Sequence, residues 1–105
     1  MPARVRVCSV EDVPTGEARR FTIDGRLVAV VNLGEEGFRA VDAVCSHEHF
    51  YLDEGEVDAD EGTIECPKHG STFDLETGRP IVLPAIKPVD VFPVTVSDDD
   101  VLIEV

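Results

Sequence analysis

Two short stretches constrain this chain more than anything else in it: Val44-Cys45-Ser46-His47-Glu48-His49-Phe50 and Glu65-Cys66-Pro67-Lys68-His69-Gly70-Ser71-Thr72-Phe73-Asp74. Each offers one thiolate and one imidazole, donors soft enough to bind a transition metal. Eighteen residues separate His47 from Cys66, which is room for a strand, a turn and a strand back. That geometry brings two ligand loops together at one end of a β structure.

The flanking sequence agrees with an all-β fold. Arg4 to Val7 alternates charged and apolar residues, as a half-buried strand does. Glu11 to Gly16 reads as a loop. Arg19–Ile23 and Leu27–Asn32 flank Asp24-Gly25, a tight hairpin signal, and a turn at 33–37 leads into Phe38–Val41. The first 43 residues are therefore expected to form an antiparallel meander. Thr63-Ile64-Glu65 reads as a short strand entering Cys66, and Glu76 to Pro80 as a turn. Pro84 and Pro88 hold Ala85-Ile86-Lys87 extended. Val89–Val96 alternates as one strand, and Ser97 to Asp100 turns the chain into a final strand, Val101–Val105. No stretch shows sustained helical periodicity. At 105 residues the chain fits a single domain, 1–105. The expectation is an antiparallel β-sandwich or barrel whose base is built from 1–43 and 75–105. A small subdomain of two ligand loops, about 44–74, is set into it.

Charge and cysteine usage narrow the function. Acidic residues outnumber basic ones 22 to 9, for a formal charge of −13. This argues against nucleic acid or an anionic membrane as partner and for another protein. Three cysteines are too few for a disulfide framework. Reduced thiols on a metal suit a cytoplasmic setting. The start, Met1-Pro2-Ala3-Arg4-Val5-Arg6-Val7, lacks the apolar stretch of a signal peptide, and no apolar run approaches a membrane span. A freely diffusing protein is expected. Cys8, at the end of the first alternating run and far from both loops, is expected to be a core residue.

The donor set separates two metal chemistries. Structural zinc takes four ligands at one tetrahedral ion, usually from cysteines paired two to four residues apart. Here each pair mixes Cys with His, and one residue separates Cys45 from His47. Such pairs suit a [2Fe–2S] centre in which two Cys bind one iron and two His the other. Cys45-x-His47 followed by Cys66-Pro67-x-His69-Gly70-Ser71-x-Phe73-Asp74, with Thr77-Gly78 after it, resembles the Rieske motif. Length and flanking strands are similar to those of the soluble Rieske-type ferredoxins of bacterial dioxygenase systems. The likeness covers nearly the whole chain. The spacing between the motifs is a residue or two longer than is common, the surplus lying in Asp58-Ala59-Asp60-Glu61-Gly62.

The resemblance implies one Rieske-type [2Fe–2S] cluster per chain. Cys45 and Cys66 would ligate the inner iron, His47 and His69 the outer iron. Gly70 would let the second loop turn, Pro67 would stiffen it, and Ser71 would donate to a cluster sulfide. His49 is expected to be an exposed loop histidine rather than a ligand, because the motif uses Cys-x-His. Phe50 and Tyr51 would shield the cluster. High-potential relatives carry an extra disulfide between the loops, where this chain has Phe50 and Lys68, and a tyrosine where it has Phe73. Without that hydroxyl, and amid negative charge, the potential is expected toward the low end of the Rieske range, about −150 mV rather than about +300 mV.

The implied function is that of a one-electron carrier, not an enzyme. It would pass electrons from a flavin-dependent reductase to a terminal oxygenase or another redox partner. The alternatives are an accessory protein of iron–sulfur cluster assembly, a small subunit of a reductase such as nitrite reductase, and a structural zinc module. Six of the nine residues from Asp53 to Glu61 are acidic. This run is either a docking patch for a basic partner or an ordinary solvated loop.

Overall fold

The computed structural model describes residues 4–46, 50–68, 70–83 and 86–104. In the first half lie strands β1 (Arg4–Ser9), β2 (Ala18–Ile23), β3 (Arg26–Asn32) and β4 (Phe38–Asp42). The ligand region contributes β5 (Glu56–Asp58), β6 (Thr63–Glu65), β7 (Thr72–Asp74) and β8 (Pro80–Val82). The chain ends with β9 (Val91–Phe92), β10 (Val94–Ser97) and β11 (Asp100–Glu104). These strands form three antiparallel sheets, ordered β1-β11-β10, β2-β3-β4-β9 and β5-β6-β7-β8. Helical structure among the described residues is confined to three short 3-10 turns. None of it is long and apolar enough to cross a membrane. The all-β antiparallel architecture matches the expectation from sequence.

The middle sheet organises the rest. Asp24 and Gly25 both take positive φ, 50° and 79°, as a two-residue hairpin of the primed type requires, and they set the β2–β3 register of Ile23 opposite Arg26. Val28, Ala29, Val30 and Val31 on β3 are all fully buried, so both faces of this strand are covered. Because side chains alternate along a strand, its residues divide between two cores. Ala29 and Val31 join a loop-side core with Val41, Ala43, Cys45, Leu52, Ile64, Cys66, Phe73 and Leu75. Val28 and Val30 join a base core with Cys8, Val13, Ala40, Val101 and Ile103. The sheet is thus a wall, packed on one side against β1-β11-β10 and on the other against the ligand region. Cys8 is a buried free thiol in the base core, as expected, and burial pushes its pKa up.

Two strand expectations are corrected. The first 43 residues do not form one meander, because β1 pairs with β11 instead of β2. Its alternation shows a half-buried strand but carries no information about a partner nearly a hundred residues away. The run Val89–Val96 is two strands, with β9 on β4 and β10 on β11. Pro93 sits at the break: it has no N–H for a ladder, and its carbonyl accepts from the Glu104 N–H at 3.1 Å. The chain thereby crosses from one sheet to the other at Pro93.

Candidate metal centre

The first loop leaves β4 and returns on itself. Val44 bridges Tyr51, the Leu52 N–H donates to the Ala43 carbonyl at 2.7 Å, and the Cys45 N–H donates to the Phe50 carbonyl at 2.9 Å. The second loop joins β6 to β7, the strand expected at 63–65 leading straight into Cys66. Its closing bond runs from the Cys66 N–H to the Ser71 carbonyl at 2.6 Å, and the Gly70 N–H donates back to the Cys66 carbonyl at 3.3 Å. The two loops are therefore built alike. Each starts on a cysteine whose N–H bonds the carbonyl five residues on, enclosing four residues.

Both cysteines are 3% exposed and belong to the same loop-side core, beside the fully buried Leu52, Ile64 and Phe73. His47, His49 and His69 lie outside the described residues. Gly70 holds φ at +76°, a left-handed conformation that L side chains rarely adopt. Ser71 is fully buried, whereas Pro67 and Lys68 are exposed. Two cysteine sulfurs buried in the same core, each opening a ligand loop, are soft donors of the kind a transition metal takes. The described donors therefore fit the sulfur half of a [2Fe–2S] site.

Several contacts lock the loops together that the sequence did not reveal. Gly55 ends the 3-10 turn Leu52–Glu54 just after the first loop. A Cβ on Gly55 would overlap the carbonyl oxygen of Glu65, the residue before Cys66, and crowd Pro67 Cδ at 3.2 Å. The bare backbone of one loop's exit thus lies directly on the entry to the other. The only sequence signal is a lone glycine in an acidic run. Phe50 of the first loop and Lys68 of the second also meet, with the ammonium 5.6 Å from the ring centroid. Ser46 Oγ donates to the Lys87 carbonyl, tying the first loop to the segment that follows β8.

Arg20, on β2, clamps the far side. Its guanidinium lies 3.7 Å from the Tyr51 ring centroid and 4.0 Å from Asp53 Oδ1. Tyr51 is thus a stacking platform for the middle sheet as well as cover for the loop. Asp53 Oδ1 is buried with no hydrogen-bond partner among the described residues. Burial pushes this carboxyl above its ordinary value near 3.8, outweighing the opposing pull of Arg20. The folded chain then holds the proton more tightly than the unfolded chain. Stability from this group is present below the ordinary value and lost as pH rises through the raised one. Asp53→Asn is expected to melt at a higher temperature than wild type at neutral pH, with the gap closing on acidification toward about pH 4. A lower neutral-pH melting temperature for the variant would instead make the Arg20 pair the dominant effect.

The Rieske [2Fe–2S] domain family matches residues 3–93 of the chain. The 3-phenylpropionate/cinnamic acid dioxygenase ferredoxin subunits of Shigella flexneri and Escherichia coli K12 are each 40% identical over 101 residues, covering 96% of this chain and 92% of theirs. Among solved structures, the ferredoxin of carbazole 1,9a-dioxygenase from Nocardioides aromaticivorans IC177 superposes with a TM-score of 0.91 at 36% identity, covering 96% of both chains. A chain from the complex of reduced oxygenase and oxidized ferredoxin in carbazole 1,9a-dioxygenase gives 0.88 at 33% identity, covering 99% of this chain and 94% of that one. The chain belongs to the Rieske [2Fe–2S] domain family, as a ferredoxin-type electron carrier with a Rieske [2Fe–2S] cluster as its cofactor.

Proposed function

We propose that Cys45, His47, Cys66 and His69 ligate the cluster, the thiolates on the inner iron and the imidazoles on the outer one. The observation that carries this reading is the pair of matched loops. Each begins on a buried cysteine and closes with the same five-residue hydrogen bond, and the four residues it encloses include one of the proposed histidines. When bound, the cluster takes up and returns one electron at a time. The chain's residues keep it dry and fixed. Leu52 and Phe73 exclude water, Gly70 turns the second loop, Pro67 stiffens it, and Ser71 supplies a hydroxyl beside it.

Ligand charge accounts for the use of histidine. Two ferric ions, two sulfides, two thiolates and two neutral imidazoles carry no net charge, whereas four thiolates leave two negative charges. An electron enters a neutral site more readily than an anionic one. The donor would be a flavin-dependent reductase and the acceptor a terminal oxygenase. The relatives' description as dioxygenase ferredoxin subunits, and the oxygenase–ferredoxin complex among the similar structures, support these partners. The layout is one domain, 1–105, with about 44–74 as the cluster-binding part, to whose sheet β8 adds an edge strand, on a base of 1–43 and the remainder of 75–105. Reduced, metal-bound thiols support a cytoplasmic location.

A spectroscopic redox titration tests the function. One reversible one-electron step near about −150 mV is expected; no reducible chromophore would end the carrier reading. His49→Ala tests the ligand choice. It should keep the cluster and its spectrum, and loss of the cluster would transfer the assignment from His47 to His49.

A further inference from the structure

The sheet that carries the second ligand loop has one apolar face and one acidic face. Val57, Ile64 and Phe73 turn inward to the loop-side core. Residues opposite each other share a face, and the register sets Glu56 against Glu65 and Asp58 against Thr63. The outer face therefore carries two directly opposed carboxylates, Glu56 and Glu65, on the last pair before Cys66. Like charges so placed destabilise a sheet. Neither has a cation within ion-pair distance among the described residues. Lys68, in the same loop, turns its ammonium to the Phe50 ring instead.

Glu65 differs from its acidic neighbours in where it lies. It is half-buried, whereas Glu54 and Glu56 are exposed. Its Oε1 is 3.4 Å from the place a Cβ on Gly70 would take, so the carboxylate rests against the turn of the second loop. With Glu54 and Glu56 it lines a cleft of about 380 Å³ that reaches Cys66 and Gly70. Two members of the acidic run 53–61 thus face this loop. The remaining charge acts weakly here. The body measures 38 × 28 × 19 Å, and exposed charges more than about 8 Å apart are largely screened at physiological salt. The carboxylates packed on the loop matter more than the formal −13 of the whole chain.

We propose that Glu65 sets the reduction potential of this carrier. Uptake of one electron adds a negative charge to the site between the loops, and a half-buried carboxylate against one loop opposes it. Glu65 acts as a fixed charge and takes no part in the transfer itself. Glu56 adds a smaller contribution from the exposed side. The opposed pair thereby trades sheet stability for a lower potential, which makes the reduced protein a stronger donor to its acceptor. The inference rests on the electron-carrier reading and names the residue that tunes it.

The test is a spectroscopic redox titration of the holoprotein at neutral pH, at salt concentrations of about 0.1 M and about 1 M. Glu65→Gln keeps the shape and removes the charge. It should raise the ratio of reduced to oxidised protein at a fixed poise about tenfold, a shift of about 59 mV upward for a one-electron couple. The shift should persist at high salt because the group is half-buried. Glu56→Gln should give a smaller rise that high salt removes. Glu65→Asp, which keeps the charge, should stay near wild type, and Lys68→Met, which removes a cation from the loop, should shift the other way. Asp58→Asn, on the same face about 7 Å farther from Cys66, should leave the potential unchanged. The electron paramagnetic resonance spectrum should be that of wild type throughout, and Glu65→Gln should melt no lower than wild type. An unchanged potential in Glu65→Gln, equal shifts in Glu65→Gln and Asp58→Asn, or shifts of one sign in Glu65→Gln and Lys68→Met would each overturn the proposal and leave the carrier reading intact. A Glu65→Gln protein that holds no cluster would also overturn it, making Glu65 a structural residue of the loop. A wild type with no reducible cluster would overturn the carrier reading and the proposal with it.

Discussion

Gly55→Ala is expected to yield a protein that melts far below wild type and loses its cluster. The added methyl has nowhere to go. It would overlap a backbone carbonyl, that of Glu65, rather than the far end of a flexible side chain, so relief requires moving β6 or the exit of the first loop. Either movement pulls Cys66 away from Cys45. We expect a loss of about 3 kcal/mol or more, at the upper end for overpacking. That is a large share of the roughly 5–15 kcal/mol that holds a domain folded. Gly25→Ala is the matched control. Its φ is +79° but no atom lies within 4 Å of an added Cβ, so only the backbone strain of about 1–2 kcal/mol applies and the cluster should remain. Thermal melts with visible absorbance separate the two. A Gly55→Ala protein that keeps its colour and melts with wild type would show that the loops are not braced against each other at this point.

His69→Cys is expected to have the largest effect on redox behaviour. It exchanges a neutral imidazole for a thiolate, so each oxidation state of the site gains a negative charge and the electron is harder to add. Centres with four cysteines lie near −400 mV, and the substitution should lower the potential by on the order of 100 mV or abolish the Rieske spectrum. A redox titration reads this directly. An unchanged potential with an unchanged spectrum would mean that His69 is not a ligand.

The outcome for particular residues shows what a sequence of this kind reveals. Asp24-Gly25 and Thr63–Glu65 were legible because a primed turn and a period-2 run are local signals, and both appear where expected. Partner choice was not legible. The pairing of β1 with β11 and the exchange of sheets at Pro93 depend on contacts across the chain, which alternation cannot encode. The double role of β3 was half visible, as an unbroken apolar run from Leu27 to Val31 that only the fold shows to be a wall between two cores. At the metal centre, Cys45 and Cys66 stood out because two thiol–imidazole pairs at that spacing have few other uses. Gly55 and Arg20 did not. One acts by lacking a side chain where two backbones meet, the other by reaching from a neighbouring sheet to Tyr51 and Asp53. Such roles follow from packing and leave no mark on the residues beside them.

The most direct test of the account is an electron paramagnetic resonance spectrum of the dithionite-reduced protein, purified without oxygen. A rhombic signal is expected, with an average g below that of all-cysteine [2Fe–2S] centres, the mark of two imidazoles on the reduced iron. A signal of the all-cysteine kind, or a colourless and silent protein with zinc found by metal analysis, would contradict it.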